Sequence, residues 1–357
     1  MGASHLIFLG TYTRNGPSKG IYATRLDTDT GELSPPILVA EAVDPAWLAI
    51  SPDKRFLYAI HGSPAQALGF KIDPRTAQLA PLPREAAATD TASPPSHLAV
   101  DATGRMLLAA NYRDGFVASI PLRTDGTLAT AHTLSHEGKG THPTRQDQPH
   151  PHSITISPDN RFVIVADLGV DRIYSYALGT ENGKLAPASP PFVATAPGDG
   201  PRHFKFSTDG IHGYVINELS NTVTMLDYDP ARGTLTPRQT IPTLPADFKA
   251  QTSTAEVRIH PNGRFLYGSN RGHDSVAVFS IAPTTGELSP VEIVKSGGRT
   301  PRNFALSPDG KWLVCGHQDT PLLTVFRVDA STGRLSSTKH SANVPSCVCV
   351  LFVNGAT

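Results

Sequence analysis

Apolar stretches of strand length alternate with short polar turns along the whole chain, and the alternation returns about every fifty residues. One turn is Ser-Pro-Asp-Gly-like, usually followed by a basic residue and then an apolar run. It recurs in six copies: Ser51-Pro52-Asp53-Lys54-Arg55, Asp101-Ala102-Thr103-Gly104-Arg105, Ser157-Pro158-Asp159-Asn160-Arg161, Ser207-Thr208-Asp209-Gly210, His260-Pro261-Asn262-Gly263-Arg264 and Ser307-Pro308-Asp309-Gly310-Lys311. A second signature sets Gly two residues before Leu, at Gly31/Leu33, Gly126/Leu128, Gly183/Leu185, Gly233/Leu235, Gly286/Leu288 and Gly333/Leu335. Ala77/Leu79 is a seventh copy that keeps the leucine without the glycine. Between the signatures lie β-rich runs such as Arg55-Phe56-Leu57-Tyr58-Ala59-Ile60 and Ser275-Val276-Ala277-Val278-Phe279-Ser280. No stretch holds a helical period, which excludes helical solenoids. Units of this length hold about four antiparallel strands each. The pattern predicts an all-β, seven-bladed propeller occupying residues 1–357 as a single domain.

The unequal counts of the two signatures predict how the ring closes. Residues 5–12 match a second strand with no first strand before it. Val344-Pro345-Ser346-Cys347-Val348-Cys349-Val350 resembles the first strands at residues 45–50 and 95–100. The C-terminal strand is therefore expected to pair with the N-terminal blade, which removes an open sheet edge and ties down both ends.

Composition narrows the partners. The 31 Lys and Arg balance 31 Asp and Glu, and charged residues are only 17% of the chain, which points to neither a nucleic acid nor a membrane partner. The 30 Gly and 32 Pro are scattered, as expected for many short strands and turns. Cys315 stands alone, while Cys347 and Cys349 fall on the expected closing strand, so buried packing is favoured over a disulfide or zinc framework. The segment Met1-Gly2-Ala3-Ser4-His5 has no basic leader pattern, and the longest apolar stretch, residues 347–353, is too short for a membrane span. The expected location is the cytoplasm. Oligomeric state is not encoded in any of these features.

In an antiparallel blade, the start of the first strand and the end of the second share one rim. His150, His152, Arg202, His203 and Arg302 belong to the first group; Asn111, Asp167, Asn217, Glu218, Asn270, Arg271 and Gln318 belong to the second. Taken singly, such residues solvate loop ends and cap turns. Taken together, three arginines, a glutamate and three histidines on one rim fit an anionic substrate. An insertion at residues 138–152, containing Arg145-Gln146-Asp147-Gln148, leads onto the same rim. Gly16-Pro17-Ser18-Lys19-Gly20 matches a nucleophile elbow by letter but has no helix after it. His150-Pro151-His152 offers two imidazoles without a third ligand, so no metal is expected, and no phosphate loop or dinucleotide fingerprint is present.

Pro149-His150-Pro151-His152-Ser153, Gly200-Pro201-Arg202-His203, Asn217-Glu218-Leu219 and Asn270-Arg271 resemble, in order and spacing, the propeller-type lactonases. That family includes bacterial 6-phosphogluconolactonases and the fungal carboxy-muconate cyclase, and the likeness runs over nearly the whole chain. It implies a site at His152, Arg202, Glu218 and Arg271 that needs no cofactor, with a small anionic lactone as substrate. His150, His203, Asn217, Asn270, Arg302 and Gln318 are the accompanying substrate-binding candidates from the rim. The implied activity is hydrolysis of a sugar lactone, foremost 6-phosphogluconolactone to 6-phosphogluconate in carbohydrate metabolism. Glu218 or a neutral His152 would activate water while Arg202 and Arg271 hold the oxyanion or an anionic group. A lactonizing cyclase and a non-catalytic binding propeller are the alternatives; the latter would call for an apolar rim patch instead of an ionisable cluster.

Overall fold

The computed structural model describes residues 3–14, 16–62, 65–83, 93–179 and 183–353. Met1 and Gly2, part of the segment read above for a leader, lie outside the described residues. The chain forms seven sheets of four antiparallel strands, with no helix among the described residues. Blade 1 joins Ser4–Thr11, Gly20–Asp27 and Ile37–Glu41 to the C-terminal strand Cys347–Phe352. The other blades are simple meanders whose first strands are Leu48–Ile50, His97–Val100, Pro151–Ile156, Pro201–Phe206, Ser253–Ile259 and Pro301–Leu306.

Burial explains why these runs become strands. The second strand of each blade is sandwiched between neighbouring blades and is mostly apolar, as in Phe162–Asp167, where every residue is buried. The outermost strands keep a polar, mostly exposed sequence, as in Leu335–Ala342. The Ser-Pro-Asp turn is the clasp between first and second strands: Ser307 Oγ donates to Asp309 Oδ1 at 2.6 Å and accepts from the Trp312 N–H at 3.0 Å. In blade 3, Asp101 does the same work with its carboxylate, taking the Thr103 and Met106 N–H groups at 3.0 and 2.8 Å.

The Gly-X-Leu signature locks one blade to the next. Gly233, at φ 70°, lies on the ring of Phe162 in the preceding blade, and a Cβ there would sit 2.2 Å from that ring. Gly333 and Phe265 repeat the arrangement, and Tyr267 of the same strand donates its hydroxyl to the Gly333 carbonyl at 2.9 Å. Glycine is needed for both the left-handed backbone and the close approach.

The ring closes as the sequence predicts. Cys347–Phe352 pairs antiparallel with Ser4–Thr11, from Ile7↔Phe352 to Thr11↔Cys347. This strand also touches the first strands of blades 7 and 2, completing an inner circle of first strands around a central channel. Cys315, Cys347 and Cys349 are free and buried in this packing.

Candidate active site

A repeated defect in the first strands aims side chains into the rim. Their ladders skip one residue between Pro151 and Ser153, between Pro201 and His203, and between Pro301 and Asn303. A proline opens each of these strands, where its missing N–H is tolerated, and the residue after it bulges. The bulged residues are His152, Arg202 and Arg302, and all three line one cavity. The closing strand skips Val348 at the same height, and Val348 lines that cavity too.

The cavity measures about 370 Å³ and gathers Arg145, His152, Arg202, Glu218, Arg271 and Arg302. Glu218 is its centre. One carboxylate oxygen accepts from Arg145; the other lies 2.8 Å from Arg202 Nε and 3.1 Å from Arg271 Nη2. Burial alone would raise the Glu218 pKa, but Arg271, Arg202, His152 and Arg145 reverse this and hold it well below the usual carboxylate range. Glu218 is therefore ionised and fully engaged. Arg202 is 2% exposed and also donates to the Ala255 carbonyl at 2.6 Å, so its guanidinium has little freedom. Burial, then repulsion by Arg271 and Arg302, lowers its pKa.

The site's histidines are neutral. Burial, followed by the charge of Arg202, pushes both His152 and His203 well below the ordinary histidine value. His152 Nε2 is 3.9 Å from Glu218, and its Nδ1 is buried with no hydrogen-bond partner. His203 Nε2 accepts from Arg202 at 3.1 Å, which places its proton on Nδ1, 3.3 Å from the buried Glu256 carboxylate. Trp47 and His203 lie at the floor of the cavity, and His97, its ring centroid 4.0 Å from that of Trp47, packs behind them, edge-on to His203.

Of the candidates read from the sequence, His152, Arg202, His203, Glu218, Arg271 and Arg302 converge on the cavity. The others do not line it. Asn217 donates to the Thr222 and Thr224 hydroxyls at 2.9 and 3.0 Å, and Asn270 to the Thr243 carbonyl at 3.0 Å. Asn217 ends its second strand and Asn270 is the penultimate residue of Phe265–Arg271; alternation sends the following residue, Glu218 or Arg271, the other way. His150 donates from Nδ1 to the Tyr112 carbonyl at 2.6 Å and stacks on the Tyr112 ring at 4.3 Å, so it supports the cavity wall. Gln318 lies in a separate depression and reaches the site only through Arg302, 3.4 Å away. Asn111 and Asp167 cap strand ends; Asp167 accepts from His136 at 2.6 Å.

Arg145, Tyr112 and Trp47 line the cavity without having been singled out for it. Arg145 had a signal, its place in the insertion. That loop is built around Gln146, which is fully buried. Gln146 Oε1 accepts from the Thr141 and His142 N–H groups at 3.0 and 2.9 Å, and its amide donates to the Leu168 carbonyl and Asp171 at 2.8 and 2.7 Å.

Comparison with known proteins places the fold in a family. A family model described as lactonase, 7-bladed β-propeller, matches residues 6–352. A 6-phosphogluconolactonase of Bacillus subtilis is 36% identical over 350 residues, covering 97% of this chain and 98% of the relative. A 6-phosphogluconolactonase of Formosa agariphila is 31% identical, covering 92% of this chain and 94% of the relative. The solved structure of a periplasmic gluconolactonase from Pseudomonas aeruginosa superposes with a TM-score of 0.92 at 33% identity, covering 98% of this chain and 99% of that one.

Proposed function

The chain belongs to the seven-bladed β-propeller lactonase family, and from that premise we propose that it hydrolyses a phosphorylated sugar lactone, 6-phosphogluconolactone, to 6-phosphogluconate. Relatives bearing that name support a lactonase function. The observation that carries the choice of a phosphorylated substrate is the surplus of guanidinium in the cavity. Glu218 occupies Arg145, Arg202 and Arg271, whereas Arg302 faces the same space with no carboxylate partner among the described residues. A phosphate is the natural complement to such a group, because its oxygens accept the planar guanidinium fork. An uncharged gluconolactone would leave that cation unmatched.

In the chemistry we infer, the phosphate rests on Arg302 and the lactone carbonyl points toward Arg202 and Arg271. Water attacks the carbonyl carbon while neutral His152 takes its proton, and the arginines hold the oxyanion. The ring C–O bond then breaks, and the imidazolium returns its proton to the departing ring oxygen. Glu218, held at depressed pKa by its arginines, is the weaker base; 3.9 Å from His152, it steadies the imidazolium that forms in the transition state. The free, buried cysteines fit a cytoplasmic site of action.

The test compares freshly generated 6-phosphoglucono-δ-lactone with glucono-δ-lactone, for wild type and Arg302→Ala. A charge-assisted contact of about 1.5–3 kcal/mol corresponds to roughly a 10- to 150-fold loss in kcat/KM for the phosphorylated lactone. The unphosphorylated lactone should change little. Equal losses on both would remove the phosphate role from Arg302.

A further inference from the structure

The central channel has a second mouth. First strands run from the rim cavity to the Ser-Pro-Asp turns, and at that far end lies another cavity of about 380 Å³. Trp47, His97 and His203 form the partition between the two, with His203 centroids 5.2 Å from Trp47 and 5.5 Å from His97. The pleat carries the charge through: Lys205 follows His203, and Arg258 follows Glu256, each two residues along the same face of its strand.

Two properties of this cavity point to a ligand. Its walls are largely apolar, including Ile50, Val100, Ile156 and Leu351, yet it is lined by Lys205, Arg258 and the exposed Lys54 and by no Asp or Glu. Its inner cations are also under-neutralised. Lys205 makes no hydrogen bond or ion pair with the described residues, and Arg258 Nε is buried without a hydrogen-bond partner, 3.5 Å from Glu256 Oε1. Glu256 is already committed, accepting from the Val257 N–H at 3.1 Å and from Asn303, with His203 at 3.3 Å. Glu256 supplies one negative charge against the two positive charges of Arg258 and Lys205, and the surplus charge in this apolar enclosure is costly unless an anion joins it. Burial, then Arg258, accordingly brings the Lys205 pKa down to about 7.

We propose that this far-end cavity is a second ligand site, taking a carboxylate with an apolar body whose anionic end rests on Lys205 and Arg258. The apolar body lies along Ile50, Val100, Ile156 and Leu351. The volume falls within the range of small-molecule pockets. The proposal is independent of what the rim cavity hydrolyses.

Octanoate, titrated calorimetrically into the full chain, is the probe, with octanamide as its uncharged counterpart. One octanoate should bind per chain, and octanamide should bind at least about tenfold more weakly, as expected from losing a charge-assisted contact. Lys205→Met should weaken octanoate at least as much. Ala99→Phe fills the cavity without altering its charge and should abolish binding. Octanoate affinity should also fall as pH rises through about 7, where free Lys205 loses its proton; the groups around it are Arg258, Glu256, Cys349, His97 and His203. No binding at millimolar octanoate, equal binding of octanamide, or undiminished binding to Ala99→Phe would overturn the proposal. The last of these decides the matter even if Lys205→Met does not fold.

Discussion

His97, His152 and His203 are buried together, His203 touching both of the others, and what they do to stability follows from their neutrality. Burial holds all three well below the usual histidine value, with His203 adding to the effect on His97 and Arg202 adding to it on the other two. In the unfolded chain each titrates near ~6.5, so below that pH the unfolded state binds protons that the folded state refuses. Stability should therefore fall by about 1.4 kcal/mol per histidine for each pH unit below ~6.5. Glu218 adds no slope there, because a depressed carboxylate pKa costs stability only as pH falls below the unfolded value of ~4.3. Melting temperature should drop as pH falls from about 6.5 to 5.5, and His97→Asn should remove up to about 1.4 kcal/mol of the loss per pH unit. An identical slope in the variant would mean that His97 is protonated in the fold. Much of this scale was legible in the sequence. His152, Arg202, Glu218 and Arg271 stand in the motifs that carry the family resemblance, and the fold brings all four to one cavity. Asn217 and Asn270 are indistinguishable from their neighbours in sequence, because adjacency hides the alternation that turns one residue away from the cavity and the next toward it.

At the scale of elements, the bulges and the insertion turn a rim into a site. The Pro-His and Pro-Arg steps at Pro151, Pro201 and Pro301 were visible as letters, but their meaning lies in a skipped ladder pairing. Arg145 was harder still. Its reach to Glu218 depends on Gln146, whose four hydrogen bonds tie the insertion to Asp171, Leu168 and its own turn. If Gln146 acts by placing Arg145, then Gln146→Ala should cost about tenfold in kcat/KM. The double variant with Arg145→Ala should then be no slower than Arg145→Ala alone. Additive losses would assign Gln146 a separate role.

The whole molecule depends on closure. The count mismatch between the two turn signatures was enough to foresee the pairing of Cys347–Phe352 with Ser4–Thr11. The interlock of each glycine turn on the preceding blade was not foreseeable, since Gly233 and Phe162 are brought together only by the ring. Val350, 1% exposed on the closing strand, packs in the core shared by blades 1 and 7. Val350→Asp should cost at least about 3 kcal/mol in stability, read by thermal or denaturant unfolding. Ser336→Asp on an exposed outer strand should cost about 0.5 kcal/mol or less; comparable losses would show that closure is not limiting. The catalytic account is tested most directly by acid release from fresh 6-phosphoglucono-δ-lactone, wild type beside Glu218→Gln. The account predicts turnover well above the spontaneous rate, reduced by about a hundredfold or more once the carboxylate that gathers Arg145, Arg202 and Arg271 is gone. Wild type no faster than the spontaneous reaction, or a variant as fast as wild type, would contradict it.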